Sequence, residues 1–328
     1  MNNDEAAAIG GVMGGENPYA PPAAPSELAA PLTVVPLPSA KPRVWTVFVA
    51  LLVMVFAFLA AQIVGAIGVV IWYFAQGGTS SRLGTDLLDF IVQPGPFLFL
   101  GLLGQIALGG VAIAAAWISP MPLRSRLGLV RPRWSASTSA VAIVGSIVPF
   151  TIGIAGAYAL AEVLPPDPAV AKMYAAMTPA WAVPFLLFIS LAPGFFEEVM
   201  FRGYVQRRLL ERWPAWIAIL FTSLVFAIVH VAPHAVVFAF PLGVWLGMMA
   251  AKSGSTWPGI VCHAAINGLW NVWQLGVRFE FFPEDPPMLL LVGLSVLGIG
   301  AFGATLWAMF RPAEPVVPQE VPLSGPTL

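Results

Sequence analysis

Residues 45–74 read WTVFVALLVMVFAFLAAQIVGAIGVVIWYF and contain no charged side chain. A helix needs about 20 apolar residues to cross the hydrocarbon core of a bilayer, so this segment is long enough to span it with some tilt. The rest of the chain has the same character, because 59% of its 328 residues are hydrophobic and only 9% are charged. Soluble domains carry about 25% charged residues. The sequence therefore predicts an integral membrane protein whose first partner is the lipid bilayer.

Further apolar segments of spanning length follow along the chain, and together they predict about eight transmembrane helices. The predicted spans are residues 45–74, 96–118, 139–163, 181–200, 214–232, 235–251, 258–276 and 287–310. This pattern predicts an all-α membrane protein with a conical or bundle-like core that encloses a polar intramembrane cavity. The segment RGYVQRRLLER at 202–212 is basic and amphipathic, which predicts a helix extension at the membrane surface.

Composition divides the chain into three parts. Residues 1–43 are rich in Ala, Pro and Gly, which predicts a disordered cytoplasmic tail. Residues 44–311 form the predicted polytopic membrane domain, and the Pro-rich residues 312–328 predict a second disordered tail.

Lysine and arginine positions predict the orientation in the membrane. Placing the N-terminus in the cytoplasm puts eleven of these residues inside and three outside, which agrees with the positive-inside bias. Both termini are therefore predicted to be cytoplasmic, in a multi-pass protein of the bacterial inner membrane. The net charge of −1 gives no indication of a nucleic-acid partner.

The stretch FFEEVMFRG at 195–203 places two acids and an arginine inside a predicted span. Charged residues at the centre of a membrane helix cost about 2.5–3.5 kcal/mol each on insertion scales, so they usually face the bundle interior. Glu198 and Arg202 stand four residues apart and can form an ion pair that only fastens two helical turns. Glu197 then points about 100° away and lacks that cation. A buried acid without a cation is a candidate general base. Pro193 and Gly194, just upstream, predict a kink.

Two later spans carry the remaining polar groups. The fifth span ends in His230, which shares a helical face with Phe226 and can be either a structural histidine or a catalytic one. In the seventh span, His263, Asn267 and Asn271 recur every four residues and line one face. Such a face either holds neighbouring helices together through hydrogen bonds or forms part of a polar site. His234, which follows Pro233, is predicted to be a surface or turn residue.

Three short motifs, taken in order, resemble those of a known family. EEVMFR at 197–202 fits EExxxR, FAIVH at 226–230 fits FxxxH, and HAAIN at 263–267 fits HxxxN. The ordered set resembles the CPBP intramembrane proteases, also called the CAAX-protease or Abi family, over residues 181–275. The resemblance implies an intramembrane endopeptidase that acts on a membrane-associated peptide or protein.

The resemblance also implies a role for each matching residue. Glu197 together with His230 would activate the water, and Glu198 with Arg202 would support and orient the first motif. Asn271 and Ser223 lie outside the family pattern, and their spacing alone suggests supporting roles.

The third motif supplies a histidine and an asparagine, and the histidines and glutamates together bear on the catalytic type. The resemblance implies that His263 and Asn267 form the oxyanion hole. Two histidines and a glutamate can also hold zinc with an open fourth position, which keeps a metalloprotease as the alternative. No HExxH helix is present, so we favour a glutamate-type mechanism without a cofactor.

Two other functions use the same buried polar residues. A channel or transporter would line a proton or solute path with them, and a membrane scaffold of the same fold would leave them catalytically silent. Transporters favour paired broken half-helices, and the sequence contains no such pairing. A catalytically silent scaffold would be expected to have lost residues of at least one motif, whereas all three motifs are intact.

Overall fold

The computed structural model describes residues 43–310, and all regular secondary structure in this range is helical. The predicted tails at 1–43 and 312–328 lie outside the described residues, apart from Arg43. The helices, in chain order, are α1 Trp45–Ala75, α2 Leu83–Ile91, α3 Pro94–Trp117, α4 Leu123–Arg126, α5 Ala136–Gly145, α6 Ile147–Ala161, α7 Pro168–Ala175, α8 Pro179–Glu198, the π-helix Val199–Gln206, α9 Arg207–Leu210, α10 Ala215–Ile228, α11 Pro233–Ser253, α12 Trp257–Arg278 and α13 Met288–Phe310.

Six helical segments of the described chain are long and apolar enough to cross a membrane. They are Trp45–Ala75, Pro94–Trp117, Ala136–Ala161, Pro179–Leu210, Pro233–Ser253 and Met288–Phe310. The other two predicted spans also form helices. However, α10 is a shorter apolar helix, and α12 carries the polar stripe and is not among the six. The all-α membrane fold is thus confirmed, whereas the predicted count of eight spanning helices is not: among residues 43–310, six segments are long and apolar enough to span.

The outer helices expose a continuous apolar surface. In α1, Phe56 and Ile63 are each 63% exposed, and α13 exposes Leu297 and Ile299 to a similar degree. Exposed apolar patches of this extent are rare on soluble monomers. These faces contact lipid in a membrane-embedded protein, so their burial in the bilayer replaces burial in a protein core.

Helix α8 packs against both α3 and α12. Glycines permit the close approach: a Cβ atom on Gly194 would lie 3.0 Å from the backbone nitrogen of Ala264 in α12. A Cβ atom on Gly109 of α3 would overlap the ring of Phe196. Small residues at helix contacts let membrane helices pack backbone to backbone. This packing brings the polar residues of α3, α8 and α12 to one place.

The end of α8 continues into a helix of a different type. The helix continues through Pro193 and Gly194, and α-helical geometry gives way only at the π-helix Val199–Gln206. All eight residues of the π-helix are buried, so the first half of the segment predicted to lie on the membrane surface is in the core. The segment does extend the helix, and its polar groups find partners inside the protein: the Gln206 amide, for example, donates to the Gly247 carbonyl at 2.8 Å. π-Helical turns are rare and are frequent at functional sites.

Candidate active site

Glu198 and Arg202 form a fully buried ion pair, as the spacing predicted. Arg202 Nη1 donates to Glu198 Oε1 at 2.6 Å, and both side chains are 0% exposed. The second guanidinium nitrogen, Nη2, donates to the carbonyl of Gly243 in α11 at 3.0 Å. The guanidinium carbon also lies 4.2 Å from the centre of the Phe226 ring, in cation–π geometry. One arginine therefore connects the end of α8 to both α10 and α11.

His263 of α12 is oriented by the same carboxylate. Its Nδ1 lies 3.0 Å from Glu198 Oε1 and its side chain is 9% exposed. A carboxylate paired with an arginine only accepts hydrogen bonds, so Nδ1 carries the hydrogen and donates it. The other ring nitrogen, Nε2, is thereby directed toward Glu197, whose Oε2 lies 4.0 Å away.

Glu197 has no arginine partner, as predicted, and is held by an amide instead. Gln105 Nε2 donates to Glu197 Oε1 at 2.8 Å. The second oxygen, Oε2, is buried and has no hydrogen-bond partner among the described residues. The carboxylate thus has one anchored oxygen and one enclosed oxygen, beside His263, whose hydrogen-bonding capacity is unused among the described residues.

Gln105 is a site residue that the sequence reasoning missed. It lies in α3, far from the three motifs, in the apolar segment GLLGQIALGG at 101–110. A single amide in a predicted span costs free energy in lipid and therefore tends to face the interior. The sequence alone therefore indicates that Gln105 faces the interior, but it does not indicate that Glu197 is its partner.

His230 lies beside this cluster without contacting Glu197. It follows the end of α10 in a tight turn, where Val231 has a φ of +63°. His230 Nδ1 is 2.9 Å from the Phe226 carbonyl of its own helix, so Nδ1 carries the hydrogen and Nε2 is the acceptor. Among the described residues no ion pair within 4.0 Å joins His230 to Glu197. Both His230 and His263 instead pack on the Phe226 ring, at 5.1 and 5.8 Å between ring centres.

The amide stripe of α12 faces the bundle interior, as predicted. Asn267 Nδ2 donates to the carbonyl of Ile189 in α8 at 3.1 Å, and Asn271 Nδ2 donates to the Asn267 carbonyl at 2.8 Å. The sequence reasoning missed Tyr174 of α7, whose hydroxyl donates to Asn271 Oδ1 at 2.5 Å. Burial raises the pKa of Tyr174, which keeps this phenol protonated as a donor.

Two further predicted residues have other positions or roles. His234 is the second residue of α11 and is half-buried with its Nε2 atom fully enclosed, so it is not the surface or turn residue that was predicted. The fixed φ of Pro233 suits the first turn of a helix and starts α11 there. Ser223 is buried and donates to the Ile219 carbonyl of its own helix at 2.7 Å.

The donor set does not fit the zinc alternative. Between residues 43 and 310, no group of three or more His, Cys, Asp or Glu side chains is arranged to hold a metal ion. A catalytic zinc takes three protein ligands. Here Glu197 Oε2 and His263 Nε2 lie 4.0 Å apart and could share one ligand. His263 Nδ1 is hydrogen-bonded to Glu198, and His230 is hydrogen-bonded to the Phe226 carbonyl.

The fold and this cluster define a class: polytopic helical membrane proteins with a buried site of carboxylate, imidazole and amide groups. Within this class, residues 179–269 match the family model described as type II CAAX prenyl endopeptidase, Rce1-like. The match confirms the resemblance to the CPBP or CAAX-protease family over the segment that contains all three motifs. That family suggests a protease.

One curated relative extends the comparison. A protein of Escherichia coli, described as an uncharacterized 24.3 kDa protein, is 32% identical over 116 residues, which are 35% of this chain and 49% of the relative. The chain thus matches about half the length of that relative. No solved structure gives a significant match to the chain.

Proposed function

We propose that the protein is an intramembrane endopeptidase of the glutamate type, which hydrolyses a peptide bond in or near the membrane with Glu197 as general base. One observation carries the proposal: Glu197 Oε2 is buried without a partner, 4.0 Å from His263 Nε2. This separation is too long for a direct hydrogen bond, and a water molecule admitted between the two atoms by a small side-chain movement would contact both.

The proposed reaction begins with that water. Glu197 Oε2 accepts a proton while the water oxygen bonds to the carbonyl carbon of the substrate peptide, whose oxygen becomes an oxyanion. When the C–N bond breaks, the proton on Glu197 passes to the leaving nitrogen. The products are a carboxylic acid and an amine, and Glu197 is regenerated as a carboxylate.

Three residues have proposed roles around this reaction. A protonated His263 stabilises the oxyanion through Nε2, and Asn267 does so through the N–H that is not bonded to the Ile189 carbonyl. His230 assists Glu197 through its unprotonated Nε2, which requires the ring to approach from its position against Phe226. Low polarity around the site strengthens each of these interactions.

Glu198 and Arg202 are proposed to act through position rather than by touching the substrate. Arg202 fixes the position of the Glu198 carboxylate and neutralises its charge. The Glu198 carboxylate in turn orients His263. Glu197 is then the acid that is left to accept the proton of the water.

The proposed substrate is a membrane-associated peptide or protein. The description of the matching family names CAAX prenyl endopeptidases, so a peptide with a prenylated C-terminal CAAX sequence is the first substrate to test. The second is an apolar transmembrane peptide without a prenyl group. No cofactor enters the proposed reaction.

The function is tested by incubating the purified protein in detergent with both peptides and following new termini by mass spectrometry. We expect cleavage of at least one peptide at a defined bond. The same protein in proteoliposomes is assayed for proton flux. Flux without cleavage of either peptide would support the transporter alternative and overturn the proposal.

Replacing Gln105 with Leu tests how the carboxylate is positioned. We expect kcat to fall about tenfold with KM nearly unchanged, because a hydrogen bond to a charged group contributes about 1.5–3 kcal/mol and here it fixes the orientation of Glu197. Gln62→Leu is the matched control, since Gln62 Nε2 donates only to the Leu100 carbonyl, at 3.3 Å. Equal kcat values for the two variants would contradict a positioning role for Gln105.

A further inference from the structure

A cleft lined by arginines lies beyond the candidate active site, where α9 meets the end of α11. Its volume is about 260 Å³, and its charged lining residues are Arg126, Arg133, Arg207 and Glu211. Small-molecule sites commonly enclose about 300–1,000 Å³, so this cleft suits a group the size of a lipid headgroup or a small anion.

The cleft has more positive charge than its own acid can balance. Glu211 is already shared, because it accepts from Arg126 at 2.5 Å and from Arg208 at 3.2 Å. Arg133 and Arg207 have no carboxylate within 4.0 Å among the described residues. Among the described residues the lining therefore carries two arginines without an ion pair of their own, and like charges so close together repel one another.

Both unbalanced guanidinium groups converge on one glycine. Arg207 Nη1 donates to the Gly254 carbonyl at 3.1 Å. A Cβ atom on Gly254 would lie 2.6 Å from Arg133 Nε, so the second guanidinium packs directly over the same residue. Gly254 has a φ of +68°, which ends α11 and which glycine adopts without strain.

The walls of the cleft are fixed before any ligand binds. The backbone N–H of Arg133 donates to the Ser253 carbonyl at 2.8 Å, which ties the loop before α5 to the end of α11. Thr256 reinforces this contact, donating from its backbone to Gly128 at 2.8 Å and from its hydroxyl to Leu127 at 2.7 Å. A preorganised site does not spend binding energy on ordering its own loops.

We propose that this cleft binds a phosphate group, supplied by an anionic membrane lipid or by a free phosphate. Arginine guanidinium groups match phosphate oxygens through paired N–H donors, and basic pockets between membrane helices bind anionic headgroups. The bound phosphate neutralises Arg133 and Arg207 and links the loop before α5 to α9 and α11. This function is independent of peptide hydrolysis.

Thermal unfolding of the purified full chain tests the proposal. In neutral detergent, sodium phosphate is titrated against sodium chloride of equal ionic strength, and phosphatidylglycerol is titrated against phosphatidylcholine in mixed micelles. We expect the unfolding midpoint to rise with phosphate, with phosphatidylglycerol, or with both, because a ligand of the native state stabilises it. A response to phosphatidylglycerol alone assigns the site to lipid, and a response to phosphate alone assigns it to a soluble anion.

Two arginine variants provide the matched comparison. Arg133→Ala is expected to raise the apparent Kd about tenfold or more, as loss of a charged hydrogen bond does. Arg131→Ala removes the same charge from the same loop at a residue that is exposed, as Arg133 is, but does not line the cleft, and it should leave Kd within about twofold. Equal Kd values for the two variants, or no stabilisation of the wild type by either ligand, would overturn the proposal.

Discussion

Replacing Glu197 with Gln is expected to lower kcat/KM for peptide cleavage by about 10²–10⁴-fold, the contribution that a positioned general base makes. The amide has the same shape, and its Oε1 can still accept from Gln105. It cannot take a proton from water at the Oε2 position, which lies 4.0 Å from His263 Nε2. Stability should remain close to that of the wild type, because no lysine or arginine among residues 43–310 forms an ion pair with Glu197 and His263 Nε2 is as far as 4.0 Å away. The measurement is the rate of peptide cleavage, paired with a thermal unfolding midpoint.

Glu162→Gln is the matched control for this variant, since it removes one acid at an exposed position after α6. It should retain full activity. If Glu197→Gln also retains full activity at unchanged stability, Glu197 is not the base and the proposed mechanism fails.

Replacing Arg202 with Ala is expected to reduce the free energy of unfolding by about 3–5 kcal/mol, as breaking a buried ion pair by removing one partner does. The variant leaves Glu198 0% exposed and without its arginine, so that the His263 imidazole is its remaining side-chain partner among the described residues. It also removes the donor to the Gly243 carbonyl and the contact with the Phe226 ring. Activity should fall with stability, because His263 takes its orientation from Glu198. Denaturant unfolding in detergent measures the change.

Two comparisons separate the charge effect from simple loss of a side chain. Arg212→Ala, at an exposed position before α10, should change stability by no more than about 0.5 kcal/mol. The double variant Glu198→Gln with Arg202→Met should be more stable than Arg202→Ala, because it leaves no charge buried alone. An inactive Arg202→Ala variant of normal stability would argue against a structural role for this arginine.

The parts of the site that are local in sequence were predictable. The Glu198–Arg202 pair follows from a spacing of four residues on one helix, and so does the shared face of His263, Asn267 and Asn271. Helical periodicity determines which side chains of one helix lie together. It does not determine which helix lies opposite.

The parts that join distant segments were not predictable in the same way. Gln105 reaches Glu197 from 92 residues away, and Tyr174 reaches Asn271 from 97 residues away. The turn after α10 directs His230 onto Phe226, whereas the resemblance implied only that His230 acts together with Glu197 on a water molecule. These contacts depend on how α3, α7 and α10 dock against α8 and α12.

The sequence by itself determined the membrane class, the all-α fold and the residues of the three motifs, because hydropathy and helical spacing are local properties of the chain. Only the tertiary structure decided the partners of the two acids. Glu198 pairs with both Arg202 and His263. Glu197 accepts a hydrogen bond from Gln105, and its other oxygen has no hydrogen-bond partner among the described residues. The tertiary structure also decided that residues 203–206 are buried against other helices of the protein. Close packing at glycines such as Gly194 brings separate helices into contact, and this contact determines which polar groups form hydrogen bonds with each other.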